Sequence, residues 1–176
     1  MGGRAGGGAR SGGGGGLQAA LRAKEYEIAG AKVENIAVFD DNGKLIASAT
    51  GTDMKVGVHY SLQKDRIVTH NHPHGGSFSE QDVTRVPLNN PKEIRLVSDG
   101  YRFSIKRPAK GWASETTARK AYQSAARKIK KQDSAYELAH SSNYWQAGKR
   151  VSKTQSHRIV KEFAKQMGYT YTKTKM

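Results

Sequence analysis

Two short turn signals constrain this chain more than any other feature. The runs "KVENIAVFD" and "KLIASAT" alternate apolar and polar residues on either side of Asp41-Asn42-Gly43. An Asn-Gly pair between two period-two runs is the strongest local signal for a β-hairpin. A second pair, Asp99-Gly100, divides "EIRLVSDGYRFSIKRP" in the same way, with Pro108 closing the run. A fifth apolar run, "DRIVTHNH", ends at Pro73, which cannot donate to a ladder. At least four strands are therefore expected.

Helical spacing flanks these strands. Leu17, Ala20, Leu21 and Ile28 recur near the helical period ahead of Gly30, predicting a short leading helix. Ser79 followed three residues later by Asp82 reads as a capping box for a short helix reaching about Val86, with Asp in place of the usual Glu or Gln. Beyond Gly111, Ser114 can cap a helix whose apolar stripe is Ala118, Ala121, Tyr122, Ala125, Ala126 and Ile129. A last helix carries Ile159, Val160, Phe163, Ala164 and Met167, stops at Gly168, and leads to "YTYT" as an edge strand. The expected class is α+β, a mixed sheet with flanking helices.

Three segments follow from composition. Residues 1–16, "MGGRAGGGARSGGGGG", can bury nothing and read as a flexible linker, the cut end of a longer polypeptide. Residues 17–110 form the domain that holds the motifs, and residues 111–176 a basic helical region packed on it or extending it. The net charge of +15 lies almost wholly in the second half: residues 101–176 hold eighteen Lys and Arg against four Asp and Glu, residues 1–100 twelve against eleven. Such a field suits nucleic acid or an acidic partner. Tyr101, Phe103, Trp112, Tyr136, Tyr144 and Trp145 are candidate stacking residues beside it, or core anchors. No apolar run reaches eighteen residues, so no membrane partner is expected and the chain reads as soluble. Cysteine is absent, so any metal must be held by His, Asp, Glu or water.

The stretch "VTHNHPHGGSFSEQD" carries the chemistry. Side chains at i and i+2 of a strand share a face, so His70 and His72 can aim two imidazoles at one point. Asp82, in the first turn of the following helix, can fold back as a third ligand; two His and one carboxylate suit a catalytic zinc site with one position open to water. Glu34, an acid at the start of a strand on the face of Ile36 and Val38, is the best candidate for the base, with Glu25 and Glu27 as alternatives. His74 and Ser77 are candidate substrate-binding residues beside the site, while His59, His140 and His157 read as scattered.

The pattern Glu34, His70-x-His72-Pro73, Ser79-x-x-Asp82 resembles the JAMM motif of JAB/MPN-domain metallopeptidases, which include isopeptidases that remove ubiquitin-like tags and a RadC-like branch. The likeness covers about residues 25–105. It implies a three-layer, cytidine-deaminase-like fold and a Zn2+ cofactor held by His70, His72 and Asp82. It also implies Glu34 as general acid/base, Ser79 (or Ser77) as helper of the oxyanion, and a protein or peptide substrate cleaved at an amide bond. Nine residues separate His72 from Asp82, one fewer than is usual in the family, and Gly75-Gly76 supply the backbone freedom to absorb the difference. The Gly-rich leader and basic tail resemble C-terminal domains of phage head-morphogenesis and polymorphic toxin proteins, implying a virion-associated or delivered effector. Two other readings stand beside the peptidase: a nucleic-acid-binding protein or metal-dependent nuclease, and a non-catalytic JAB-like structural domain of a phage. The string "HNH" itself argues weakly for a nuclease, since such motifs set their histidines far apart on a ββα unit.

Overall fold

The computed structural model describes residues 13–176, so residues 1–12 of the expected linker lie outside the described residues. The first helix, α1 (Gly13–Ile28), begins inside the glycine run, four residues before Leu17. Its start lies directly against the first hairpin turn. A Cβ at Gly43, whose φ is +85°, would stand 2.9 Å from the Gly16 carbonyl oxygen and from the Leu17 Cα. Only glycine permits both that φ and that approach.

The hairpin is β1 (Asn35–Phe39) and β2 (Leu45–Thr50), and its turn is shaped by Asp40, whose Oδ1 accepts the N–H of Asn42 and of Lys44, each at 2.9 Å. A single 3-10 turn (Tyr60–Leu62) precedes β3 (Ile67–Asn71). Two short helices follow, α2 (Glu80–Thr84) and α3 (Val86–Asn89), where one helix to Val86 was expected. Pro87 explains the break, since it has no N–H to continue the ladder but suits the first turn of a new helix. The second hairpin, β4 (Glu93–Ser98) and β5 (Tyr101–Lys106), leads to α4 (Glu115–Ala139), a 3-10 turn (Ser141–Asn143), α5 (Tyr144–Met167) and β6 (Thr170–Lys175).

The molecule is thus mixed α+β, with five helices and a six-stranded mixed sheet in the order β2-β1-β3-β4-β5-β6 among the described residues. Only β3 and β4 run parallel; the other pairs are antiparallel. α1 covers one face through Leu21, which packs on Ala37, Phe39 and Ile67. α4 and α5 cover the other over Ile94, Leu96, Phe103 and Ile105, adding Ala125, Val160 and Phe163 to the main core. The basic C-terminal segment supplies half of that core, and β6 extends the same sheet. No helix of the described residues is long and apolar enough to cross a membrane.

The α1 face also buries an ionic network. Glu25, wholly inaccessible to solvent, accepts from Arg95 Nε at 2.6 Å and pairs with Arg102, while Arg95 Nη1 reaches Glu93 Oε1 at 2.8 Å. Ser104 Oγ completes the Glu93 shell at 2.6 Å. Glu25 therefore lies on the sheet face opposite to His70, and Glu27 is exposed beside Lys24. Neither alternative base reaches the histidines, because β3 alternation sends Thr69, toward Glu25, and His70 to opposite sides.

Candidate metal centre

β3 ends in the two histidines. His70 sits opposite Ile36 of β1 and Leu96 of β4 in the sheet register, so its ring emerges on the α4–α5 face. His72 extends the pairing one step further, its N–H donating to the Val97 carbonyl at 3.3 Å. The two Nε2 atoms lie 3.3 Å apart. Asp82 closes the triangle from α2: His70 Nε2 is 3.6 Å from its Oδ1 and His72 Nε2 is 3.3 Å from its Oδ2. These three groups converge as a set able to hold a metal ion.

The distances test that fit. Ligands about 2.0–2.1 Å from a tetrahedral ion stand about 3.3–3.4 Å from one another; the two Nε2 atoms are 3.3 Å apart, and each faces a different oxygen of Asp82, at 3.6 Å for His70 and 3.3 Å for His72. Two imidazole nitrogens and one carboxylate oxygen are also a donor set that zinc accepts. Burial resists charge on His72, yet the Asp82 hydrogen bond and the charges of Asp82 and Glu34 outweigh it and raise its pKa. Burial likewise favours the neutral Asp82 carboxyl, but the imidazoles of His70 and His72 hold its pKa well below the usual range. The carboxylates of Asp82 and Glu34 thus favour positive charge at His72.

Asp82 is aimed by its own helix. Its Oδ2 accepts from the Ser79 N–H at 2.7 Å and from Ser79 Oγ at 2.8 Å, while Ser79 Oγ accepts the Asp82 N–H at 3.2 Å, a complete capping box. The Ser79 hydroxyl, expected to assist an oxyanion, donates to the Asp82 carboxylate and so helps to orient it. Such outer partners fix a ligand's direction and its affinity for metal.

The loop between His72 and Asp82 is clamped rather than loose. Gly75 and Gly76 adopt φ of +85° and +91°, and a Cβ at Gly75 would stand 2.6 Å from Asp99 Oδ1. Asp99 Oδ2 accepts the Gly76 N–H at 2.7 Å. Ser77, a candidate substrate-binding residue, is buried instead: its N–H donates to Ser156 Oγ at 3.0 Å and its hydroxyl meets the Tyr171 hydroxyl at 2.9 Å. Burial pushes Tyr171 up to about 12, so its hydroxyl keeps its proton. His74 is exposed and faces Asp53 Oδ2 at 3.3 Å, away from the three ligand groups.

Glu34 lines a cleft of about 450 Å³ together with His70 and Asp82. Its backbone is fixed by Thr52, whose carbonyl accepts the Glu34 N–H at 2.7 Å, and by Gly51, whose N–H donates to the Glu34 carbonyl at 2.8 Å. Burial raises the Glu34 pKa, partly opposed by His72 and His70 and assisted by Asp82. A carboxylate shifted upward beside a metal-sized cluster has the character of a proton carrier.

Two residues of the site escaped the sequence reading. Asn71, between the histidines and 1 % exposed, holds the segment around Glu34. The sequence signal for it is a polar residue on the α1 side of a buried strand, between the two histidines of "THNHP". Arg85, which also lines the cleft, stands three residues after Asp82 and so shares its helix face.

A scan against protein-family models and searches of curated proteins and of solved structures returned no match to this chain. Fold and site together describe a mixed α+β domain bearing a two-histidine, one-carboxylate cluster beside a partly buried glutamate.

Proposed function

We propose that this chain is a zinc-dependent amide hydrolase of the JAB/MPN type, acting on a peptide or isopeptide bond. One observation carries the reading: His70, His72 and Asp82 converge closely enough to hold a metal ion, at the edge of a cleft that His70, Asp82 and Glu34 line. The sheet flanked by helices on both faces is compatible with the three-layer JAB/MPN arrangement. Zinc held by these three residues supplies Lewis acidity toward an amide carbonyl and toward the water that attacks it.

Glu34 handles the proton. Its carboxylate accepts a proton from the attacking water as the water oxygen bonds to the carbonyl carbon, and returns it to the amide nitrogen as the carbon–nitrogen bond breaks. Its raised pKa brings it closer to the working range for both halves of that cycle. Ser79 holds Asp82 in place, and Arg85 offers the cleft a cation for a carbonyl or carboxylate of the substrate.

The test is metal analysis by mass spectrometry on the full chain purified without chelator, followed by assay against peptide and isopeptide libraries. One zinc per chain in wild type and in Glu34→Gln, with cleavage lost only in the variant by about 10²–10⁴-fold, is the expected result. Absence of zinc overturns the reading. Full occupancy with no cleavage across the libraries would leave a structural metal domain.

A further inference from the structure

A second groove, of about 470 Å³, runs between α5 and β6. Its walls carry Lys161 and Lys165 from α5, Lys173 from β6, His157, and the rings of Tyr169 and Tyr171; no carboxylate lines it. The acids nearest in the helices are engaged elsewhere, Glu162 with Lys128 at 2.8 Å and Asp133 with Arg158. Lys173 lies over an aromatic ring rather than against an acid, 4.0 Å from the centre of Tyr101. The surroundings register this excess: burial and the charges of Lys173, Lys161 and Arg158 lower the pKa of His157.

The cations extend beyond the groove in a pattern. Lys149, Lys153, His157, Lys161 and Lys165 recur every fourth residue of α5, and Trp145 begins the series four residues earlier. The four lysines are exposed and, among the described residues, none forms an ion pair. Trp145 is 73 % exposed, with Lys149 Nζ 5.1 Å from its ring centre. From Lys149 to Lys165 the row spans about 24 Å and turns around the helix by about 40° per step. Lysines on an edge strand discourage pairing with other strands, which accounts for Lys173 and Lys175 but not for an ordered row on a helix.

We propose that this row and groove bind single-stranded nucleic acid, the lysines neutralising phosphates and Trp145 stacking on a base. A polymer is favoured over a small phosphate because the cations are strung out instead of converging. A flexible strand can follow a row that winds, whereas a duplex is stiff over about 150 base pairs. An exposed tryptophan next to a basic track is the stacking element that unpaired bases use. A membrane surface is disfavoured, since the apolar side chains of α5, Ile159, Val160 and Phe163, are buried in the core and cannot insert. The proposal does not depend on the metal centre.

Fluorescence anisotropy of the full chain with a labelled oligonucleotide of about 20 residues, between about 50 and 200 mM salt, tests it. Lys161→Ala and Lys165→Ala should each weaken binding for every sequence and reduce the salt slope by about 0.7. Trp145→Ala should weaken binding by about 5- to 100-fold with the slope unchanged. Lys64→Ala, outside the row, should match wild type. No binding at low salt, or equal losses in Lys64→Ala, overturns the proposal. Equal affinity for a duplex removes the single-strand assignment, and equal competition by polyglutamate assigns the surface to acidic protein instead.

Discussion

Asn71 clamps Asn35. The Asn71 Oδ1 accepts the Asn35 backbone N–H at 2.6 Å, and its Nδ2 donates to the Val33 carbonyl at 3.0 Å, so one side chain grips the residues on both sides of Glu34. Because Asn71 also separates His70 from His72, the glutamate and the imidazoles are fixed to a single strand residue. Asn71→Ala would leave a buried donor and acceptor unpaired, costing about 1–3 kcal/mol for each group that water cannot reach. The expected outcome by denaturant titration is a clear loss of stability. Zinc affinity, read by competition with a chelator, should fall far less than hydrolysis, since the ligands are held by other contacts.

Ser79→Ala separates the ligand from its support. The helix loses its cap, worth about 1 kcal/mol, and Asp82 loses the hydrogen bond from the Ser79 hydroxyl while keeping the one from the backbone N–H. Zinc affinity should drop by about 10–100-fold, while His72→Ala, which removes a ligand, should abolish stoichiometric binding. Equal affinity in Ser79→Ala and wild type would show that the capping box has no part in the site.

The pH dependence has opposite signs with and without metal. In the metal-free chain His72 has a folded pKa above its ordinary 6.5, despite burial, so its pairing with Asp82 stabilises fully below that ordinary value and is lost as pH rises through the folded one. Asp82, held below its ordinary 3.8, stabilises above that value and its contribution is lost as pH falls through the depressed pKa. Metal needs neutral imidazoles and releases their protons. Thermal melts between about pH 6 and 8 should therefore show metal-free stability falling while the zinc-induced rise in Tm grows. A zinc effect that stays flat over this range would remove the proposed exchange of protons for metal.

Glu25→Gln distinguishes a structural carboxylate from a catalytic one. Glu25 neutralises Arg95 and Arg102 in a dry part of the α1 face. Leaving the half-buried Arg102 without a carboxylate and the buried Arg95 with Glu93 alone should cost about 3–5 kcal/mol, visible as a lower midpoint in denaturant. Zinc binding should be unchanged, because the sheet stands between the two sites. A variant of wild-type stability with altered metal affinity would contradict this separation.

Local rules reached much of the site. Alternation along "VTHNHP" puts His70 and His72, two positions apart, on the same face, and Ser79-x-x-Asp82 announces the cap that points the carboxylate. Glu34 was legible as an acid at a strand start. Glu25 was not separable from it, because a choice between two faces of a sheet depends on which side the leading helix packs. Ser77 looked like a free hydroxyl in a glycine-rich loop; its partners, Ser156 and Tyr171, lie 79 and 94 residues away, beyond any local pattern.

By itself the sequence determined the hairpins, the helix caps and the chemistry available at each position, since turn φ values, strand alternation and side-chain donors are properties of a few adjacent residues. Tertiary structure alone decided which acid faces the imidazoles, that the basic C-terminal segment completes the core and clamps the ligand loop, and that its remaining lysines form an unopposed row. Those outcomes rest on the packing of distant segments on the two faces of one sheet, where burial selects the partner of each polar group and leaves the rest to solvent.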